Sequence, residues 1–401
     1  MYSLKELYRI GHGPSSSHTM GPRNAATQFL NRNNGAAHFE VTLYGSLAAT
    51  GKGHMTDQAI LEVLGEERTT IVWEPKTFLT FHPNGMKFRA LNAAGERTDE
   101  WSVYSVGGGA LAEEGQAPIE HKQVYTMNTA SEILSWCIST GKSYWEYVEE
   151  CEGPEIWDYL DTVLSAMEDA TERGLSADGT LPGGLDLPRK AKYLHRHRHV
   201  DESEETRTNR LICAYAYAVS EENASGGVIV TAPTCGSCGV VPAVLRYLRE
   251  KRGYTRRELL RALATAGIIG NLIKKNASIS GAECGCQAEI GTASAMAAAA
   301  AGELFSLDLD QIEYSAEMSI EHHLGLTCDP VAGLVQIPCI ERNAVAAMRA
   351  LNAVNLAGFI AHSRKISFDM IVETMYETGK DLRVMYRETA EGGLAKKYKG
   401  K

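Results

Sequence analysis

The hydrophobic pattern of this chain changes once, and the change limits the folds that it can adopt. Before about Thr129, short segments alternate apolar and polar residues, which is the pattern of half-buried strands. After it, apolar residues recur at helical spacing in long segments separated by short loops rich in Gly, Pro and Ser. The pattern predicts an α+β protein with an N-terminal α/β domain and mixed sheet over residues 1–125, followed by an all-helical domain over residues 126–401.

Individual segments make this prediction concrete. Helices are expected in the first domain at residues 20–30 and 56–64, and a hairpin turn at Pro83-Asn84-Gly85. The strands expected there are residues 37–44, 69–73, 76–82, 86–90 and 101–105. The helices expected in the second domain are residues 131–136, 155–173, 208–220, 239–251, 255–274, 287–304, 308–320, 343–361 and 368–378.

Composition excludes several classes of protein. The 401 residues are 44% hydrophobic and 22% charged, as in a globular protein with a large core, and the net charge of −10 argues against a nucleic-acid partner. The first residues lack the apolar core of a signal peptide, and the longest apolar runs are too short to span a bilayer. We therefore expect a cytoplasmic protein whose nine cysteines are thiols or metal ligands rather than disulfides.

Three of these cysteines, Cys286, Cys328 and Cys339, lie in predicted loops near the C-terminus. Thiolates are the usual ligands of iron–sulfur clusters. Three are one fewer than a closed four-cysteine site requires, so one iron would stay open and could act as a Lewis acid. A lone buried cysteine is more often a small apolar residue, but prolines beside Cys328 and Cys339 favour ligation in loops.

Other cysteine and histidine groups have less specific patterns. Cys235 and Cys238 form a CxxC that could join Cys284 and Cys286 in a zinc site, although the second pair has the wrong spacing. The run of alternating His and Arg at residues 195–199 is better explained as a solvated basic loop than as a metal tract.

A run of hydroxyl side chains precedes the first predicted helix. Ser15, Ser16, Ser17 and Thr19 surround His18 in this run. Hydroxyls and backbone N–H groups at a helix start suit a carboxylate or phosphate, and a histidine there could bind the anion or transfer a proton. The alternative is helix N-capping, which needs only one hydroxyl.

Two loops of the second domain also carry candidate binding groups. Thr231 and Thr234 lie in a small-residue loop, where a ligand can approach the backbone closely. Lys275 and Asn276 begin a segment that combines a base, an amide and hydroxyls ahead of the Ala-rich helix.

Together these segments resemble the iron–sulfur-dependent L-serine dehydratases (L-serine ammonia-lyases) of bacteria, in their single-chain form. The matching stretches follow in order along nearly the whole chain: residues 13–19, 51–54, 104–109, 231–234, 276–283, 285–287, 323–331, 336–343, 373–381 and 392–395. The resemblance implies conversion of L-serine to pyruvate and ammonia by a homodimer, within amino-acid degradation and gluconeogenesis. It also implies a [4Fe–4S] cluster held by Cys286, Cys328 and Cys339, with serine's hydroxyl on the open iron.

On this interpretation, each candidate residue has an expected role. Imidazoles titrate near neutral pH, so His18 and His54 are the candidates for proton transfer, and the choice between them stays open. Lys275 is a further catalytic candidate. The residues expected to bind the substrate are Ser15, Ser16, Ser17, Thr19, Thr231, Thr234 and Asn276.

The sequence also departs from the family pattern. Some members end in a cysteine that folds onto the open iron, and we expect no such cap here because the last residues contain none. Cys235 replaces a usual asparagine, and Cys284 a usual aliphatic residue. The alternatives are activity on L-threonine or L-cysteine, an iron or redox sensor, and a structural zinc protein.

Overall fold

The computed structural model describes residues 1–77, 79–82, 84–106, 108–115, 123–198, 200–360, 364–388 and 391–399. The chain forms two compact units. The N-terminal unit comprises His12–His121, and the helical unit comprises Lys122–Lys401 together with Met1–Gly11. The first residues of the chain therefore belong with the helices, which the hydrophobic pattern does not reveal.

The elements alternate between the two types in the first part of the chain and are mainly helical afterwards. The strands are β1 (Ile10–His12), β2 (His38–Tyr44), β3 (Thr69–Glu74), β4 (Gly85–Leu91), β5 (Arg97–Ser105), β6 (Leu111–Ala112) and β7 (Val228–Val230). The helices of the N-terminal unit are α1 (Gly21–Arg32), α2 (Gly45–Thr50) and α3 (Thr56–Leu64). Those of the helical unit are α4 (Ala130–Thr140), α5 (Tyr144–Glu152), α6 (Ile156–Ser176), α7 (Ala191–Arg196), α8 (Glu204–Ala224), α9 (Val240–Arg252), α10 (Arg256–Asn276), α11 (Gly281–Cys284), α12 (Thr292–Leu304), α13 (Leu309–Glu321), α14 (Cys339–Ile360), α15 (Phe368–Asp381) and α16 (Gly393–Lys397).

The N-terminal unit is built on a mixed sheet with the strand order β3-β2-β4-β5-β6. β2 pairs parallel with β3 and antiparallel with β4. Because parallel neighbours need a crossover, α2 and α3 lie between β2 and β3 in the chain. Phe29 of α1 packs against Phe88 of β4 and stacks on Trp101 of β5, so α1 covers one face of the sheet. The predicted α+β class is confirmed.

The strand predicted at residues 76–82 is wrong. The described residues of this segment form turns and irregular structure. Both edges of β4 are occupied by β2 and β5, so a hairpin partner has no ladder to join. Pro83 of the predicted hairpin turn, and His199 of the histidine tract, lie outside the described residues.

The Ala-rich helix α12 forms the centre of the helical unit. It packs against α9, α10, α13 and α14. All of its residues except Glu303 are buried, because alanines let the surrounding helices approach closely. The predicted long helix at residues 287–304 begins instead as a π-helical turn, Gln287–Gly291, before α12.

The first residues of the chain are fixed within this unit. Leu4 and Tyr8 are fully buried, and the Tyr8 hydroxyl donates to the carbonyl of Leu263 at 2.9 Å. Lys274 of α10 donates to the carbonyl of Glu6 at 2.8 Å. β1 pairs with β7, which leads into the loop containing Thr231 and Thr234. Within the described ranges, no helix is both long enough and apolar enough to cross a membrane.

Candidate active site

Three segments of the helical unit bring Cys286, Cys328 and Cys339 together, as predicted. Cys286 precedes the π-helical turn that leads into α12, and Cys339 is the first residue of α14. Cys328 lies in the connection between α13 and α14. The thiol of Cys328 donates a hydrogen bond to the sulfur of Cys286, and the charge of Cys286 also acts on Cys339. Cys286 and Cys328 are buried, whereas Cys339 is partly exposed.

The backbone of Cys328 is held on both sides. Its N–H donates to the carbonyl of Tyr386, and its carbonyl accepts from the N–H of Glu388, both at 2.8 Å. Gly281 lies against its side chain, where a Cβ would be 3.0 Å from Cys328 Sγ. Glycine at this position therefore leaves space for the thiol.

Arg342 places a cation beside the thiols. Its Nη1 donates to the carbonyl of Thr327 at 2.6 Å, and its Nη2 is 3.4 Å from Asp329 Oδ1. It also donates to the sulfur of Cys286. The hydrogen bond from Cys328 is the largest cause that lowers the pKa of Cys286, and the charge of Arg342 lowers it further against the effect of burial. Cys286 is consequently the thiol most readily ionised.

Two carboxyl groups face the same thiols and were not identified from the sequence. Thr234 Oγ1 donates to Glu289 Oε1 at 2.6 Å, and burial raises the pKa of Glu289. Burial raises the pKa of Glu388 to about 8, with the charge of Glu289 as the next cause. Glu388 has a left-handed backbone with φ of 55°, uncommon for a residue other than glycine. Glu289 follows Cys286 by about one helical turn, which is the sequence signal that could have indicated it.

The other candidates in the helical unit have varied surroundings. The Thr231 hydroxyl donates to the carbonyl of Leu7 at 2.7 Å and accepts from the N–H of Arg9 at 2.9 Å. Lys275 and Asn276 are exposed at the end of α10, and Asn276 Nδ2 donates to the carbonyl of Asn128 at 2.7 Å. These contacts position backbone segments, and the predicted roles of the three residues at a substrate stay predictions.

The hydroxyl run before α1 forms a π-helical turn, Ser16–Met20. Ser15 Oγ accepts from the N–H of His18 at 3.2 Å, which is the capping role given above as the alternative. The Thr19 hydroxyl donates to the carbonyl of His54 at 2.7 Å. The two ring nitrogens of His18 lie 2.9 Å from Ser17 Oγ and 3.0 Å from Ser46 Oγ. The turn thus joins His18 and His54 in one polar cluster of the N-terminal unit.

His54 differs from His18 in having a free ring nitrogen. Its Nδ1 lies 3.1 Å from the carbonyl of Thr50, which can only accept, so Nδ1 carries the proton. Its Nε2 is buried and has no hydrogen-bond partner among the described residues. Burial lowers the pKa of His54 to about 4. Burial, followed by the charge of His54, also lowers the pKa of His18, whose ring centroid is 4.6 Å away.

Further polar groups of this cluster were quoted in motifs but given no role. Among the described residues, Asn84 Oδ1 and Ser105 Oγ are buried without a partner. The two residues are joined by a hydrogen bond from the Ser105 N–H to the Asn84 carbonyl at 3.0 Å. Ser105 Oγ lies against Gly21, directly after the turn, and the charge of His82 acts on His18. Buried polar atoms without partners are rare and often mark ligand sites.

The donor set of the helical unit fits an iron–sulfur cluster better than a single ion. Three thiols with a neighbouring cation match the ligands that such clusters use. In the described ranges, no group of three or more His, Cys, Asp or Glu side chains has the arrangement needed to hold a metal ion. Of the cysteines in the alternative zinc site, Cys284 packs on Gly379 of α15, and Cys238 Sγ lies 3.9 Å from the carbonyl of Val219.

Comparison with known proteins shows the family. The family model described as "Serine dehydratase alpha chain" matches residues 90–395, and "Serine dehydratase beta chain" matches residues 3–69 and 62–116. The chain is 41% identical to "L-serine dehydratase TdcG" of Escherichia coli (strain K12), over 98% of this chain and 99% of that protein. The chain belongs to the L-serine dehydratase family. The resemblance inferred from the motifs is confirmed.

Other L-serine dehydratases give the same picture. The "L-serine dehydratase" of Haemophilus influenzae is 38% identical over 99% of both chains, and that of Streptomyces coelicolor 39% over 98% of both. These two alignments run over 451 and 446 residues, which exceeds the 401 of this chain, so both relatives contain segments without a counterpart here. The two pieces of the beta-chain match meet at residues 62–69, between α3 and β3.

Proposed function

We propose that this protein is an L-serine ammonia-lyase that converts L-serine to pyruvate and ammonia. The observation that carries the proposal is the convergence of Cys286, Cys328 and Cys339 in a chain that aligns from end to end with L-serine dehydratases. Elimination removes the Cα proton and the β-hydroxyl, which leave together as water. The resulting aminoacrylate tautomerises to an imine, and hydrolysis consumes one water and releases ammonia.

The three cysteines would hold a [4Fe–4S] cluster. When bound, the cluster supplies a Lewis acid that stabilises the departing hydroxyl. Thiols must lose their protons before they ligate, and the hydrogen bond from Cys328 and the charge of Arg342 favour the thiolate of Cys286. Cys339 is partly exposed, so a small molecule can reach this side of the thiol group.

We assign the proton transfer to His54 rather than to His18. His54 Nε2 has a lone pair and no competing partner, whereas both ring nitrogens of His18 lie within hydrogen-bond distance of serine hydroxyls. The low pKa keeps His54 neutral near pH 7, which is the form that accepts a proton. The roles predicted for Lys275 and for the substrate-binding hydroxyls and amide belong to the same proposal.

The proposal also includes a homodimer located in the cytoplasm, with a role in amino-acid degradation that supplies gluconeogenesis. The division of the chain at residue 125 into two functional domains is part of it as well.

The direct test is pyruvate formation from L-serine by protein purified without oxygen, before and after exposure to air. We expect activity that is lost in air as the iron–sulfur absorbance bleaches. Parallel assays with L-threonine and L-cysteine define the substrate. Activity that survives in air would contradict the iron–sulfur part, and absence of turnover in protein with an intact cluster would contradict the reaction.

A further inference from the structure

We propose that Arg342 is a positioning residue that fastens the three cysteine-bearing segments to one another and sets the charge around the cluster. This inference rests on the proposed iron–sulfur function and adds to it a residue with no role in the sequence-based assignment. Arg342 follows Cys339 by about one turn of α14, and 16% of its side chain is exposed.

The contacts of Arg342 reach all three segments. Its Nη1 donates to the carbonyl of Thr327 at 2.6 Å, and its Nη2 lies 3.4 Å from Asp329, so it holds the residues on both sides of Cys328. It donates to the sulfur of Cys286 from a helix that begins with Cys339. A guanidinium has several N–H donors in a rigid plane and can serve such divergent acceptors at once, whereas an ammonium is a single point.

The acceptor Asp329 is itself fixed. Only 3% of its side chain is exposed, and its Oδ2 accepts from the N–H of Leu394 at 2.7 Å. Its Oδ1 accepts from the Thr327 hydroxyl at 3.0 Å. The guanidinium is therefore occupied by protein acceptors, which separates a positioning role from that of an anchor for the substrate carboxylate.

Arg342 also offsets the negative charge of the site. Glu289 and Glu388 act electrostatically on the thiols, and the positive charge of Arg342 acts on Cys286, Cys339 and Glu289. The reduction potential of an iron–sulfur cluster depends on the surrounding charge and on hydrogen bonds to its sulfurs. Removing the cation and its hydrogen bond to Cys286 should therefore make the cluster harder to reduce.

The test compares wild-type protein with Arg342→Gln and Arg342→Lys. The control is Arg349→Gln, which removes the same charge from an exposed position on the same helix. For each anaerobically purified protein, we would measure iron and sulfide content, the rate of cluster loss to a chelator, and the reduction potential. Arg342→Gln is expected to weaken iron retention by about 10- to 100-fold, as for other groups that orient metal ligands, and to lower the potential. Arg342→Lys should keep the potential near the wild-type value and still lose the cluster faster, while Arg349→Gln should change neither.

Wild-type retention and potential in Arg342→Gln would overturn the inference. So would a variant whose only defect is a higher KM for L-serine, because that result would make Arg342 a substrate anchor. If circular dichroism shows that Arg342→Gln does not fold, Arg342→Lys decides, and wild-type retention in that variant overturns the inference. A wild-type protein without a cluster refutes the proposed iron–sulfur function and this inference together, whereas an intact cluster that is insensitive to Arg342 refutes the inference alone.

Discussion

Gly281→Ala should show how tightly the cysteine site is built. A Cβ at this position would lie 2.6 Å from Glu289 Oε2 and 3.0 Å from Cys328 Sγ. Glu289 could swing away only by losing the 2.6 Å hydrogen bond from Thr234. Cys328 is held through its backbone on both sides by the segment 386–388. The added methyl group therefore has to displace atoms that are fixed by other contacts.

Two independent magnitudes give a similar expected cost. Inserting a methyl group into a well-packed site destabilises a protein by about 1–3 kcal/mol. Losing a hydrogen bond to a charged group costs about 1.5–3 kcal/mol. Because relief of the clash requires one of these changes, we expect the free energy of unfolding to fall by about 1–3 kcal/mol. We also expect weaker retention of iron, since Cys328 is one of the proposed ligands.

Gly358→Ala is the matched control. This glycine lies in α14, and the nearest atom to an added Cβ is Leu307 Cδ2 at 3.8 Å, an ordinary contact. Replacing such a glycine by alanine stabilises by about 0.4–1 kcal/mol. Denaturant unfolding followed by circular dichroism, with iron and sulfide analysis, measures both variants. A Gly281→Ala protein with wild-type stability and full cluster content would refute the argument that this glycine is required by space.

Three further outcomes are expected. Cys328→Ala should lose the cluster and pyruvate formation together, while Cys213→Ala should retain both, and a cluster-free active Cys328→Ala protein would remove the basis of the assignment. His54→Gln should lower kcat for L-serine by about 10²–10⁴-fold, the usual contribution of a general base, whereas His38→Gln, at a surface position of β2, should be close to wild type; equal rates in the two would exclude His54 as the base. Because burial lowers the pKa of His54 to about 4, its proton-accepting form persists above that value and is lost as the pH falls through it, so kcat/KM should show no acidic limb near 6.5, and such a limb would point to a different base.

The fold was predictable where one pattern dominates a long segment. The periodicity of α10 and α13 is regular, and both helices lie within a few residues of their predicted bounds. The short helix α5 was missed because its periodic run is brief, although Ser143 and Glu146 form a capping box that the sequence displays. The alternation at residues 76–82 was misleading because strand formation depends on a free partner edge, which β4 does not offer.

The candidate site was predictable only in part, for a related reason. Motifs indicated Cys286, Cys328 and Cys339, although periodicity alone gives no distance between residues so far apart in the chain. Glu388 escaped notice because its place beside the thiols depends on a backbone bridge to Cys328, a tertiary contact. Arg342 lies one turn after a ligand cysteine, but the same spacing occurs by chance along any helix.

The two polar groups have environments that push proton affinities in opposite useful directions. Burial holds His18 and His54 in their neutral forms, and His54 keeps an open lone pair. Hydrogen bonding and a nearby cation instead favour the charged form of Cys286, despite its burial. A β-elimination needs a neutral base for the Cα proton and an anionic ligand set for the metal that accepts the leaving hydroxyl. Opposed environments of this kind distinguish acid–base and ligand roles, so each unit supplies a different part of the chemistry that we propose.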